Sequence, residues 1–250
     1  QYNASGRTYA SWHWKAGGAA ATNDDGSIQS TVSANTDAGF SIVSYAGTGS
    51  AATVGHGLGV APDVIIAKNR DQADGWRTYH NTGSSEILLF LHSTSAQGSS
   101  SSFTANWTNT SPTSSVFSIG TDAGVNSSSE NYIAYCFANK EGYSKFGSFY
   151  GNSDDDGPFV YTGFRPSFLL LKSSSLTKNW YIVDNKRNPF NLVDDFLIAD
   201  LTNAEATSDF CDFTSNGFKI RNSSTSINSS GNTYIYMCFA EQPFKYSNAR

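Results

Sequence analysis

The chain has 250 residues, of which 15% are charged and 14% aromatic, and its formal net charge is −5. That length suits one large domain or two ordinary ones. Sparse, unclustered Lys and Arg argue against a nucleic-acid partner, and no apolar run approaches the roughly 20 residues of a membrane-spanning helix.

The first distinctive segment is Tyr9-Ala-Ser-Trp-His-Trp-Lys15. In an extended chain Ala10, Trp12 and Trp14 share one face, and Tyr9, Ser11 and His13 the other. Two tryptophans left in water would forgo about 1.5–3 kcal/mol each. Thr8–Lys15 is therefore expected to be an ordered strand paired into a sheet. Residues 16–38 read as a polar connector with a turn at Asn23–Gly26. Short apolar runs flanked by Gly, Asn, Ser and Pro then predict strands at Phe40–Tyr45, Asp63–Lys68, Trp76–His80, Ile87–Leu91, Val116–Ile119 and Tyr132–Ala138. A second series follows at Phe146–Tyr150, Ser167–Lys172, Trp180–Asp184, Phe196–Ala199, Phe218–Ile220 and Tyr234–Ala240. Helical periodicity is absent outside a turn expected near Thr202–Ser208. The lone methionine is Met237, so a start at Gln1 is expected to mark a processed chain or a piece of a longer one.

The two series repeat each other. Gly47, Gly59, Pro62, Lys68 and Trp76 recur as Gly151, Gly163, Pro166, Lys172 and Trp180, at a constant offset of 104. Tyr132-Ile-Ala-Tyr-Cys-Phe-Ala138 recurs as Tyr234-Ile-Tyr-Met-Cys-Phe-Ala240, at an offset of 102. Tyr9–Lys15 resembles a third copy of this last element. Self-similarity of this kind points to duplicated structural units. The expected fold is all-β, with two tandem, jelly-roll-like β-sandwich units related by internal duplication. Residues 1–38 would form the N-terminal strand and connector, 39–141 unit A and 142–250 unit B. Ile65-Ile-Ala67 and Leu169-Leu-Leu171 are apolar on both faces, as central strands would be.

Several segments carry a family resemblance: Tyr9-x-x-Trp-x-Trp-Lys-Ala-Gly-Gly18, Ser33–Val43, Gly55–Pro62, Gly142–Gly147, Gly157–Pro166, Asn216–Lys219 and the closing Tyr234–Arg250. Across essentially the whole chain they resemble tandem C-terminal repeat domains of marine and cyanobacterial phage tail-fibre-like virion proteins. The resemblance implies a virion surface location, other virion proteins as partners and a homo-oligomer, with a trimer favoured. It implies contact with a host surface glycan or protein, and it supplies no catalytic residues.

Candidate chemistry is sparse. Trp107, beside Asn106 in the polar stretch Ser93–Thr113, reads as a loop aromatic able to stack on a sugar or to fold back on its own unit. Phe190 closes a second variable loop, Asn185–Phe190, and loops on a fixed scaffold are where recognition concentrates. Asn152, Asp154 and Asp156 copy the opening of a calcium loop but lack its closing Glu, and an acidic turn is the competing reading. His13, His56, His80 and His92 are scattered and read as solvent-facing or loop residues. Cys136, Cys211 and Cys238 read as buried small hydrophobes. Asp194, Asp195, Glu205, Asp209 and Asp212 cluster in unit B, where a glycosidase pair or solvated loop charges are both open. No metal or cofactor is expected. The expectation is a non-enzymatic structural and adhesive module of a phage appendage. Its alternatives are a purely structural virion surface or capsid-associated part and, further off, a polysaccharide depolymerase.

Overall fold

The computed structural model describes residues 4–242. The end of the closing motif, from Pro243, lies outside the described residues. The fold is all-β with antiparallel sheets. The first half runs β1 (Ala21–Asn23), β2 (Ser30–Asn35), β3 (Phe40–Ala46), β4 (Ala52–Gly55), β5 (Val64–Asn69), β6 (Arg77–Asn81), β7 (Glu86–Phe90), helix α1 (Ser100–Trp107), β8 (Val116–Ile119), the short α2 (Ala123–Asn126) and β9 (Asn131–Phe137). The second half runs β10 (Ser144–Tyr150), β11 (Phe159–Tyr161), β12 (Pro166–Ser173), β13 (Trp180–Asp184), β14 (Val193–Ile198), β15 (Ala206–Thr214), β16 (Gly217–Ile220) and β17 (Thr233–Ala240). All twelve expected strands are present, with ends moved by a few residues.

One sheet has the order β1-β2-β3-β9-β5-β6-β7, the other β10-β17-β12-β13-β14-β15-β16-β11, and β4 pairs with β8 alone. Central strands bury both faces. On β5, Ile65 and Ala67 enter the first half's own core, while Val64 and Ile66 face a core shared by the two sheets. On β12, Leu169 and Leu171 enter the second half's core, and Phe168 and Leu170 face the shared one. The continuous apolar runs in the sequence reflect this double burial. Hydrogen bonds cross the shared layer: Trp180 Nε1 donates to the Phe90 carbonyl at 3.0 Å, and Gln97 N to the Ser174 carbonyl at 2.8 Å. The repeated Trp76 and Trp180 both pack against this layer, Trp180 fully buried and Trp76 half-buried against Tyr135.

Both halves repeat one set of polar contacts. The Asn126 amide oxygen accepts from Thr48 N while its Nδ2 donates to the carbonyls of Ser50 and Gly120. Asn228 does the same with Asn152 N and the carbonyls of Asp154 and Asn222. Tyr132 and Tyr234 each accept a backbone N–H, from Ser127 and Ser229. Each also donates to a carbonyl, of Ala123 and Thr225 respectively. Lys68 and Lys172 each donate to two carbonyls of the turn that follows them. Gly59 and Gly163 both have φ above +70°, a conformation that disfavours any side chain.

Three expectations about the chain's organisation need correction. Thr8–Lys15 forms no strand. It is held by its rings instead: Trp14 meets Phe137, Phe168 and Phe239 edge-on, Trp12 meets Phe168, and the Arg187 guanidinium lies over Trp12. Aromatic packing into the shared core replaces the expected ladder. Residues 16–38 are not merely a connector, because β1 and β2 extend the first sheet beyond β3. Helix occurs at Ser100–Trp107 and not near Thr202–Ser208, where β15 begins. Ser99 caps α1 by accepting from Ser102 N, and Phe103 and Trp107, four residues apart, bury one face.

The halves differ in how they close. Between β7 and β8 the first half places α1, whereas the second half places β15 between β14 and β16 and so continues its sheet. The β6–β7 turn is tight, with Thr82 N donating to the Ser85 carbonyl. Its counterpart, between Asp184 and Val193, is longer.

Candidate functional site

The longer β13–β14 connection is braced at both ends. Asn188 Nδ2 donates to Asp194 Oδ1 at 2.8 Å and to Asp195 Oδ2 at 3.0 Å, and its own oxygen accepts from Asp195 N. Asn191 grips the end of β15, donating to the Phe213 carbonyl and accepting from Phe213 N, each at 3.0 Å. Arg187 completes the frame: its guanidinium bonds Asp184 at 2.7 Å, Glu205 at 2.8 Å and the Ile182 carbonyl. Between these anchors Phe190 is 82% exposed. A ring in water forgoes about 1.5–3 kcal/mol of burial, and here the surrounding backbone is fixed in a way that keeps it there.

Beside this loop lies the outward face of β15, β16 and β11. Val160, Phe218, Phe213 and Cys211 point inward to the core, so alternate residues point out. Register places Phe159, Lys219 and Asp212 in one row and Tyr161, Gly217 and Thr214 in the next. Phe159 is 48% exposed and Tyr161 65%. A charge ladder runs alongside: Lys219 to Asp156 at 2.9 Å, Asp156 to Arg221 at 3.0 Å, and Arg221 to Asp212 at 2.6 Å. Its two cations hold the Asp156 carboxyl below the usual range, Lys219 contributing most.

The other sequence candidates fall elsewhere. Trp107 is 1% exposed, at the end of α1, edge-on to Tyr79 and Phe117. Asn106 is buried beside it, donating to the Ser102 carbonyl. The ligand-binding expectation for both is overturned, because the Ser-rich stretch folds as a helix that turns them into the core. The structure brings neither of them to Phe190. In the acidic turn, Asn152 Oδ1 accepts from Asp154 N, Asp154 Oδ1 from Asp156 N, and Asp155 Oδ1 from Ser223 N. With Asp156 taken by Lys219 and Arg221, the motif is built as a braced turn. Among the described residues no group of three or more His, Cys, Asp or Glu is placed to hold a metal ion.

His80 is buried within β6, against expectation; His56 sits in the loop after β4 but is buried there, and His13 and His92 are exposed. His56 contacts the Thr113 carbonyl through Nε2, and its Nδ1 accepts from Leu58 N. His80 Nε2 reaches the Tyr236 carbonyl of the other sheet at 3.3 Å, and burial pushes its pKa down to about 4. All three cysteines are buried thiols. Four of the five carboxylates clustered between Asp194 and Asp212 are engaged by donors: Asp194 and Asp195 by Asn188, Asp195 also by Thr207, Glu205 by Arg187, and Asp212 by Arg221; Asp209 accepts from Asn222 through its backbone carbonyl. A cavity of about 450 Å³ lies between the sheets, walled by Trp12, Trp14, Trp76, Tyr135 and Phe168, and its lining contains no carboxylate.

Sequence reasoning missed Phe159, Tyr161, Lys219 and Arg221 as a group. The alternation Phe159-Val160-Tyr161 was a legible signal, since the middle residue of such a triplet faces the core.

Fold and site together define an antiparallel all-β protein whose two large sheets share a core and whose exposed aromatics, Tyr9 apart, gather on the second half. The chain belongs to the DUF7483 family, a domain of unknown function, whose family model matches residues 1–243. No curated protein and no solved structure matches it.

Proposed function

We infer that the chain consists of two copies of one β-sandwich unit, residues 39–141 and 142–250, and serves as a non-catalytic adhesive module on a phage appendage. The matched contacts of Asn126 and Asn228, of Tyr132 and Tyr234, and of Lys68 and Lys172 support the duplication, since they follow the sequence offsets of 104 and 102. The resemblance to tail-fibre-like virion repeats supports the setting, with other virion proteins as neighbours, a homo-oligomer as the assembly and a host surface glycan as the target.

The observation that carries the adhesive reading is Phe190. Its loop is longer than its first-half counterpart, is anchored by Asn188 and Asn191, and presents a ring that is 82% exposed. A fixed scaffold with one loop elaborated for display is the usual architecture of recognition. Several such weak contacts on one particle add through avidity without a deep pocket. Antibody labelling of intact virions tests the reading. Label at the tip of an appendage is expected, and label spread over the capsid shell would overturn it in favour of a purely structural part.

A further inference from the structure

We propose that the outward face of β15, β16 and β11 is a binding platform for an uncharged polysaccharide, with Phe159 and Tyr161 stacking on sugar faces and the Lys219–Asp156–Arg221–Asp212 ladder bonding hydroxyls. This rests on the adhesive reading and assigns its ligand class and contact residues.

Three features of this face fit that ligand. First, strands lie about 4.8 Å apart, so the row from Phe159 through Lys219 to Asp212 spans about 10 Å. That width accommodates one or two pyranose rings lying flat on the sheet. Second, Phe159 and Tyr161 are two residues apart on one strand, and so stand on the same side of it. The Phe159 ring lies over Gly217, where an added Cβ would come within about 3.0 Å of it. The glycine leaves the ring a flat seat. Tyr161 lies near Gly163 in the same way and is nevertheless 65% exposed, because β11 is the sheet's edge and no strand beyond it covers either ring. An apolar ring with a polar tip, half in water, suits the mixed faces of a sugar.

Third, the ladder alternates in sign, with two cations and two carboxylates held at 2.6–3.0 Å. Hydroxyl groups both donate and accept, so fixed donors beside fixed acceptors match a polyol. A phosphate, a uronate chain or a nucleic acid would instead call for cations without the carboxylates between them. The first half offers no equivalent: α1 occupies the place of β15, and the β4–β8 pair carries Ala52-Thr-Val-Gly55, without an aromatic ring, where β11 carries Phe159 and Tyr161. The platform therefore belongs to the second half alone.

The test is binding of the full chain to a printed array of bacterial surface polysaccharides, some neutral and some bearing uronate or phosphate, beside binding of the same protein to host cells. Neutral glycans should be retained, and the double variant Phe159→Ser/Tyr161→Ser should bind them at least tenfold more weakly while still folding cooperatively with a melting temperature only slightly below the parent's. Arg221→Met should weaken binding several-fold as well. Selective capture of the acidic glycans, or full binding by the double variant, overturns the proposal. Cell binding without binding to any array glycan also overturns it while leaving the adhesive reading intact. Loss of binding to both cells and array by the unaltered chain would sink both.

Discussion

The two halves share a sheet frame and differ most in the segment that follows β7 and β14. After β7 the first half folds Ser100–Trp107 into a helix that turns Phe103 and Trp107 inward. After β14 the second half instead lays down β15, which leads into β16 and the edge strand β11. The helix seals its core with a tryptophan and leaves mainly Ser and Thr outside. The extra strand widens the exterior face of the β16–β11 pair, on which Phe159 and Tyr161 stand. The longer β13–β14 loop adds Phe190 next to the same strand. The frame thus carries two different corners, one that buries its aromatic ring and one that lies beside rings displayed outside.

The sharpest way to test this contrast is to remove one ring of each kind. Trp107→Ala leaves a large cavity between Tyr79 and Phe117 and should cost about 3–5 kcal/mol. Denaturant unfolding monitored by tyrosine and tryptophan fluorescence would report it. A loss below about 1 kcal/mol, the level of an ordinary surface change, would show that Trp107 is not a core residue.

Next in size is an effect of pH on the joint between the halves. His80 is buried with its pKa near 4, below its ordinary 6.5. A base with a depressed folded pKa stays neutral in the folded state while the unfolded chain takes up a proton. Stability is therefore full above about pH 6.5 and falls as pH drops toward 4, by up to about 3 kcal/mol. Melting temperatures measured across that window should decline in the parent chain, and the decline should be shallower in His80→Gln.

Asn126→Ala and Asn228→Ala ask whether the repeated polar contacts are equivalent. Each removes one amide from several backbone partners and strands them, at about 1–3 kcal/mol. Chemical denaturation should give losses within about 1 kcal/mol of each other. Strongly unequal losses would break the parallel between the halves. Smallest of all should be Phe190→Ser, which alters an exposed ring and should leave stability within about 0.5 kcal/mol of the parent. A larger loss would mean that the loop depends on the ring it displays.

The strands were legible because their apolar content is dense and the turn residues between them are distinctive; Ile65-Ile-Ala67 and Leu169-Leu-Leu171 even announced burial on both faces. The segments that went unread lack such density. Ser100-Ser-Ser-Phe-Thr-Ala-Asn-Trp107 has few strong helix formers, and it folds because Ser99 caps it and Phe103 and Trp107 find a core. That tertiary pull also explains why Trp107 resembled a loop residue. β15 opens with Ala206-Thr-Ser-Asp, four exposed residues, so its first turn of sequence carries no periodicity. Thr8–Lys15 carried the alternation of a strand, but its rings packed into the core while its backbone joined no ladder. Of the candidate surface, the exposure of Phe190 was readable from its loop, whereas the Phe159–Tyr161 face required knowing that β16, with β15 beyond it, lies beside β11.

The central claim is that recognition resides on the second half's display surface and not on the first half's helical corner. Binding of fluorescently labelled protein to host cells, compared between the triple variant Phe159→Ser/Tyr161→Ser/Phe190→Ser and the corner variant Ser101→Arg/Thr104→Arg, tests it directly. Binding should fall at least tenfold in the triple variant and stay at the parent level in the corner variant, with both still folding cooperatively and fully folded at the temperature of the assay. Undiminished binding by the triple variant, or an equal loss in the two, would contradict the account.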